Sequence, residues 1–253
     1  MASVIDLNCD VGEGAGDDAR ILPLVSSVNV ACGFHAGDPS SIRETIRLAK
    51  RHGVAVGAHP SYPDRAGFGR APMDRSPTAV RDDVVYQVGA LQALCHAEGV
   101  ALVHVKPHGA LYNAAAQDLE LAAAIAEAVR SVDPGLLVVC LAGSPMVRVV
   151  RGLGLACAEE AFADRGYTAQ GTLVPRGRPG ALIDAPAAVA ERASRMARER
   201  RVVADGGLEI SVAADTLCLH GDTPGAAALA AAVRTRLERD GVEVRGLRGR
   251  GAR

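Results

Sequence analysis

The chain is poor in lysine. Of its 28 lysine and arginine residues only Lys50 and Lys106 are lysines. Helix surfaces carry arginine where lysine would serve as well, so a lysine kept inside a motif asks for a chemical reason. An excess of charge of either sign is also missing. A formal net charge of −1 gives no electrostatic footprint for nucleic acid or for an anionic membrane surface. No apolar run approaches the roughly 20 residues of a membrane span. The first residues, Met1 to Asp6, have neither the basic nor the apolar region of a secretory signal. The six cysteines (Cys9, Cys32, Cys95, Cys140, Cys157 and Cys218) make no C-x-x-C pair and no zinc spacing. Most lie in apolar runs and read as small buried hydrophobes in a reducing, cytoplasmic setting. A phosphate loop is missing too. The run Gly12-Glu13-Gly14-Ala15-Gly16 lacks the Lys-Ser/Thr of a P-loop and opens no convincing helix, which excludes Walker and dinucleotide-binding readings. Its glycines instead free the backbone to aim Glu13 into a pocket.

What is present is a repeated alternation of short apolar runs and longer amphipathic segments. The apolar runs, expected as strands, are Val4 to Cys9, Ser27 to Cys32, Val54 to Ala58, Ala101 to Val105, Leu136 to Leu141, Leu155 to Ala158 and Thr216 to Leu219. They show little alternation, as parallel strands covered on both faces do. Helices are expected over Pro39 to His52, Thr78 to Glu98, Asp118 to Val132, Pro145 to Leu153, Ala185 to Arg201 and Pro224 to Arg239, the last capped by Asp222 or Thr223. About seven β-α units without a linker predict an α/β fold in one domain over residues 1–253. Polar residues follow almost every strand. This favours a (β/α) barrel, with its site at the C-terminal rim, over an open doubly wound sheet. The stretch Thr172 to Ile183 breaks the rhythm and reads as a loop or hairpin excursion near that rim. The basic, glycine-rich tail 245–253 reads as a frayed, solvated terminus.

The candidate chemistry sits at strand ends. Asp6, Asn8 and Asp10 share one face of the first strand under period two, and their apolar neighbours argue that this face is buried as a polar floor. His35 lies in a glycine-rich loop before a helix, whose backbone amides offer an anion or oxyanion site. His59 follows the third strand. Lys106 and His108 follow the fourth, where an ammonium without a nearby carboxylate would have a lowered pKa. Asp164 and Arg165 follow the sixth strand as a carboxylate and an anion clamp, and His220 follows the seventh. Convergence of these side chains on one rim is the argument for an enzyme. Catalytic candidates are thus Asp10, Glu13, His35, His59, Lys106 and His108; substrate-binding candidates are Asp6, Asn8, Asp164, Arg165 and His220.

The stretches DLNCDVGEG, NVACGFHAGDP, GAHPSYPDRAGFGR, VKPHGALYN, EAFADRGYTAQGTLVPR and CLHGDTP, running from Asp6 to Pro224, resemble the LamB/YcsF family, that of the 5-oxoprolinase A subunits. The resemblance implies a distorted barrel of the glycoside-hydrolase and deacetylase type. It implies ATP-dependent opening of 5-oxo-L-proline to L-glutamate, in a complex with subunits B and C, with ATP bound with or by those partners. Related deacetylase barrels hold a metal on an Asp-His-His set. Asp10, His35 and His59 are a possible remnant, but the H-x-x-x-H spacing is absent, so a divalent metal stays open. Two alternatives remain: a metal-dependent amidohydrolase or deacetylase acting alone, and a non-catalytic subunit that only binds the lactam.

Overall fold

The computed structural model describes residues 3–14, 17–221 and 225–248. Seven parallel strands close into a barrel: β1 (Val4–Val11), β2 (Ser27–Ala31), β3 (Ala55–His59), β4 (Leu102–Val105), β5 (Leu137–Leu141), β6 (Ala156–Phe162) and β9 (Thr216–Leu219). Each pairs with the next, and β9 pairs with both β6 and β1, which removes any free edge in the ring. Helices α1 (Asp18–Ile21), α2 (Pro39–His52), α3 (Pro77–Ala97), α4 (Gly109–Ala115), α5 (Leu119–Val132), α6 (Pro145–Gly152), α7 (Pro186–Glu199) and α8 (Ala226–Arg239) occupy the connections. The outward side chains of the strands, such as Ile5, Leu7, Cys9 and Val11 on β1, join the helices in one apolar cluster. From Ile5 onward β1 is therefore buried on both faces, which is why its apolar and polar residues alternate there without either set reaching solvent.

The inside of the barrel is divided. On β1 and β2 it carries Asp6, Asn8, Asp10, Ser27 and Asn29, all buried. On β5 and β6 it carries Leu137, Val139 and Ala158, a small apolar cluster of its own. Helix α2 shows how closely local sequence sets its ends. Asp38 accepts from the Ser40 and Ser41 amides in a capping box, Pro39 opens the helix, and Gly53 closes it at φ 66°.

Several elements depart from the sequence reading. β6 runs on to Phe162 rather than stopping at Ala158, so Glu159 and Glu160 lie inside a strand. A short helix, α4, starts directly after His108. A two-stranded antiparallel hairpin, β7 (Arg201–Val203) with β8 (Glu209–Ser211), stands outside the barrel, and β10 (Glu243–Val244) adds to β1. The excursion at the rim is a hairpin-like fold, with bridges between Tyr167 and Leu173 and between Arg165 and Leu182. The first part of the basic tail is not frayed. The Arg245 amide donates to the Ile5 carbonyl, and Leu247 packs against the Leu137, Val139 and Ala158 cluster. Residues 249–253 lie outside the described residues, as do Asp222, Thr223 and Pro224, the expected cap of the last helix. Among the described residues no helix is long and apolar enough to cross a membrane.

Gly57 on β3 pairs with His104 on β4. A Cβ built there would fall within the ring of His104. The His104 ring is itself fully buried and bound through Nε2 to Asn29 Oδ1 at 2.8 Å, so it has no room to retreat. Gly57→Ala is expected to destabilise the fold by about 1–3 kcal/mol through overpacking. Gly89→Ala, where nothing lies within 4 Å of the new atom, should be neutral or stabilising by up to about 1 kcal/mol in its helix. Urea unfolding of the two variants checks the contrast. Equal effects would mean that the β3–β4 contact is loose.

Candidate functional site

Asp10 lies one residue from the end of β1, His59 ends β3, Lys106 directly follows β4, Phe162 ends β6 and His220 follows β9. All five line a cavity of about 930 Å³ at the C-terminal end of the barrel, together with His108, Tyr112, Arg70 and the 168–176 part of the excursion. The volume lies within the usual range for small-molecule sites.

The centre of the site is Lys106, only 2% exposed. Its Nζ lies 3.0 Å from Asp10 Oδ1, 3.0 Å from Glu160 Oε1 and 3.0 Å from Cys218 Sγ. Burial alone would lower its pKa, but the carboxylates of Asp10 and Glu160 and the Cys218 sulfur hold it well above the ordinary lysine value. The lowering expected without a nearby carboxylate is thus reversed, because the structure supplies two. Burial would likewise raise Asp10, yet His59 and Lys106 beside it keep its carboxyl well below the usual range. Glu160, absent from the candidates drawn from sequence, is the missing partner. It is fully buried and also accepts from Asn8 Nδ2 at 2.9 Å.

Four further groups meet beside Asp10. His59 Nδ1 donates to the Lys106 carbonyl at 2.7 Å, and its Nε2 lies 3.4 Å from Asp10 Oδ2. His108 Nε2 donates to the Phe68 carbonyl at 2.8 Å, and its Nδ1 lies 3.0 Å from His59 Nε2. His35 stacks on His108 with ring centroids 3.9 Å apart, and its Nε2 lies 3.0 Å from Glu13 Oε1. Desolvation, followed by the repulsion of His59, brings His35 down to about 3 and His108 to about 2, so both rings are neutral. The sets of ligand-type atoms that converge are Asp10, His59 and His108, and Glu13, His35 and His108. They differ from the Asp10, His35 and His59 set of the sequence reading because His35 faces Glu13 and His108 faces His59.

Other expectations are corrected by depth. Asp6 sits below the cavity and accepts from the Ser26, Ser27 and Thr216 hydroxyls at 2.7, 2.7 and 2.5 Å. Asn8 is also below it, with its amide on Glu160 and Thr216 and its carbonyl held by Asn29. Neither lines the cavity; Asn8 touches a lining residue through Lys106 Nζ at 3.5 Å, and Asp6 bonds to residues beneath the cavity. Asp164 reaches the site only through His220, accepting from its backbone amide and from Nδ1 at 2.8 Å. Arg165 edges the cavity, but its Nε and Nη2 donate to the Ala181 and Val174 carbonyls, so it staples the excursion. The amides at the start of α2, expected to serve an anion, are taken by the Asp38 carboxylate. Sequence offers two signals for what its reading missed: the Glu159-Glu160 pair continuing an apolar strand, and the arginines Arg70 and Arg176 in glycine- and proline-rich loops.

The model of the LamB/YcsF family matches residues 5–251. This chain belongs to the LamB/YcsF family. It is 53% identical to the 5-oxoprolinase A subunit of Methylococcus capsulatus over 98% of both chains. It is 54% identical to the 5-oxoprolinase A subunit of Thermus thermophilus over 95% of this chain and 98% of that one. Among solved structures, the lactam utilization protein of Thermus thermophilus superposes with a TM-score of 0.91 at 53% identity, covering 96% of this chain and all of that one. The Thermus thermophilus protein thus shares this barrel along nearly its whole length.

The depth of Asp6 has a measurable consequence. Burial pushes its carboxyl up to about 6, against the opposing pull of the Thr216, Ser26 and Ser27 hydroxyls. The folded state therefore binds a proton more firmly than the unfolded chain. Its stability falls as pH rises from about 4 to about 6 and is level above that. A displacement of about two units corresponds to roughly 3 kcal/mol. Asp6→Asn removes this segment. Urea unfolding of both proteins across that window should show the gap moving in favour of the variant by roughly 2–3 kcal/mol. A gap independent of pH would show that the hydroxyls offset the burial completely.

Proposed function

We propose that this chain is the A subunit of an ATP-dependent 5-oxoprolinase, opening 5-oxo-L-proline to L-glutamate with B and C partner subunits. The observation that carries this reading is identity above 50% to proteins named as the A subunit of 5-oxoprolinase, over nearly the full length of both partners in each comparison. The chemistry of the cavity supports it. A five-membered lactam is an unstrained amide, and its nitrogen is a poor leaving group. Transfer of a phosphoryl group to the amide oxygen makes addition of water feasible. The chain carries no P-loop, so the ATP site belongs with or to the partners.

In this reading Lys106 acts as a fixed positive charge. Its ammonium, locked by Asp10 and Glu160, holds the phosphoryl group on the amide oxygen. C–N cleavage leaves an acyl phosphate that a later water splits into glutamate and inorganic phosphate. Ring opening itself begins as a first water adds to the carbon and the electron pair passes to nitrogen. Asp10, Glu13 and the His35, His59 and His108 group take the proton from that water. His220, oriented by Asp164, returns a proton to the departing ring nitrogen. Arg70 and Arg176, which edge the cavity, suit the substrate carboxylate and the transferred phosphoryl group.

Two experiments test the reading. Turnover of 5-oxoproline with ATP is expected from the reconstituted complex and not from this chain alone. Robust turnover by the chain alone would favour a stand-alone amidohydrolase, and site variants that raise KM while leaving kcat intact would favour a binding-only role. Lys106→Arg and Lys106→Met should each lower kcat of the complex by about 10²-fold or more. Arginine keeps the charge but not its compact shape, and methionine keeps the shape but not the charge. Circular dichroism and melting control for folding. Near-normal turnover in both variants would remove Lys106 from the mechanism.

A further inference from the structure

Two neighbouring histidines present the same kind of atom to each other. His59 Nδ1 lies 2.7 Å from the Lys106 carbonyl, and a carbonyl only accepts, so Nδ1 carries the hydrogen. His108 Nε2 lies 2.8 Å from the Phe68 carbonyl and carries its hydrogen for the same reason. In neutral rings the remaining nitrogens, His59 Nε2 and His108 Nδ1, are then both lone pairs, and they face each other at 3.0 Å. Either a proton held between the two rings or a cation beside both must relieve that contact. Asp10 Oδ2 closes one side at 3.4 Å from His59 Nε2, its other oxygen being engaged by Lys106 and Asn29. Glu13 Oε1 closes another, 3.6 Å from His108 Nδ1 and 4.0 Å from His59 Nε2. The atoms come from three segments of chain, the end of β1 with the loop after it, the end of β3 and the turn after β4, and those of Asp10, His59 and His108 lie within 4.8 Å of one another.

We propose that Asp10, His59 and His108, with Glu13 alongside, form a binding site for one first-row transition-metal dication. The spacing fits. Ligand atoms about 2.0–2.2 Å from a tetrahedral ion stand roughly 3.3 Å from one another, close to the 3.0 Å and 3.4 Å that separate His59 Nε2 from His108 Nδ1 and Asp10 Oδ2 and the 3.6 Å between Glu13 Oε1 and His108 Nδ1. The tautomers fit as well, because both rings spend the opposite N–H on a backbone carbonyl, the arrangement that orients metal-bound imidazole. Imidazole with carboxylate selects zinc-like ions over magnesium or calcium, which favour oxygen alone. His35 is a positioning residue in this arrangement. It holds Glu13 through Nε2 and stacks flat on His108, fixing two of the four donors. Such an ion supplies Lewis acidity and lowers the pKa of a bound water. The inference concerns the cavity proposed for the lactam but does not rest on that reading, since binding is measured without substrate or partners.

The full chain is stripped with chelator and titrated with ZnCl₂ against a chromophoric competitor, with MgCl₂ in a parallel arm. One equivalent of Zn²⁺ is expected to bind, unaffected by millimolar-range Mg²⁺. His59→Gln and His108→Gln should each weaken it by about 10²-fold or more, while His52→Gln, at an exposed helix end, should not. Imidazole ¹⁵N spectra of the unsubstituted chain give a readout that needs no variant. Zn²⁺ should move His59 Nε2 and His108 Nδ1 and leave both N–H signals in place. Absence of saturable binding, equal binding by both site variants, or Mg²⁺ competing on equal terms would overturn the proposal. So would spectra in which the two rings share a proton that Zn²⁺ does not displace.

Discussion

The ammonium of Lys106 is buried at the mouth of the barrel, and it stays charged there because Asp10 and Glu160 each stand 3.0 Å away. Removing one partner of such a group leaves an uncompensated charge, which typically costs about 3–5 kcal/mol. That constraint spreads through the interior. Glu160 and Asp10 each need donors of their own, and Asn8 and Asn29 supply them. Asn29 in turn receives His104, and Asn8 donates to Thr216, whose hydroxyl donates to Asp6. One buried charge therefore dictates polar side chains on β1, β2, β4, β6 and β9. It leaves only the β5 side and the start of β6 free to be apolar.

The histidines depend on a second device, the fitting together of the loops after β3 and β4. The His108 amide donates to the Pro60 carbonyl, and the Ala110 amide to the Gly69 carbonyl. Gly109 has φ 56°, and a Cβ there would meet the Gly69 carbonyl oxygen at 2.5 Å. Glycine is required because two backbones touch. The same loop brings the Phe68 carbonyl to His108 Nε2. The ring's tautomer is thus set by a residue forty positions earlier in the chain, which joins loop geometry directly to the chemistry of the site.

These two devices explain what is and is not legible in the sequence. The seven strands are readable because each is an apolar run buried on both faces. The rim position of His59, Lys106, His108 and His220 follows from where those runs stop. Period two identifies the inward face of β1 but not height along the barrel. Asp6, Asn8 and Asp10 look equivalent, yet only Asp10 reaches the cavity. Glu160 is hidden because a carboxylate after Ala158 reads as the end of a strand unless its buried partner is known, and that partner, Lys106, lies at the end of another strand. The pKa of Lys106 is misjudged from sequence for the same reason. His35 and His108 are each placed near the rim, but their stacking and their separate partners are products of loops whose shape local sequence does not encode.

The division of the barrel interior also bears on what kind of molecule the cavity suits. Its β1–β4 side presents fixed charges and oriented imidazoles, held by hydrogen bonds that leave little freedom to move. The opposite side is built from Leu141, Phe162, Leu173 and Val174, with Tyr112 between. The Phe162 ring stacks on His220 with centroids 5.5 Å apart and lies 5.4 Å from Lys106 Nζ. An aromatic face beside a locked ammonium excludes water on one flank of the charge, which strengthens its field toward the cavity. The cavity therefore sets an apolar wall directly against fixed charge, and each side is held in place by the strands and loops that build it.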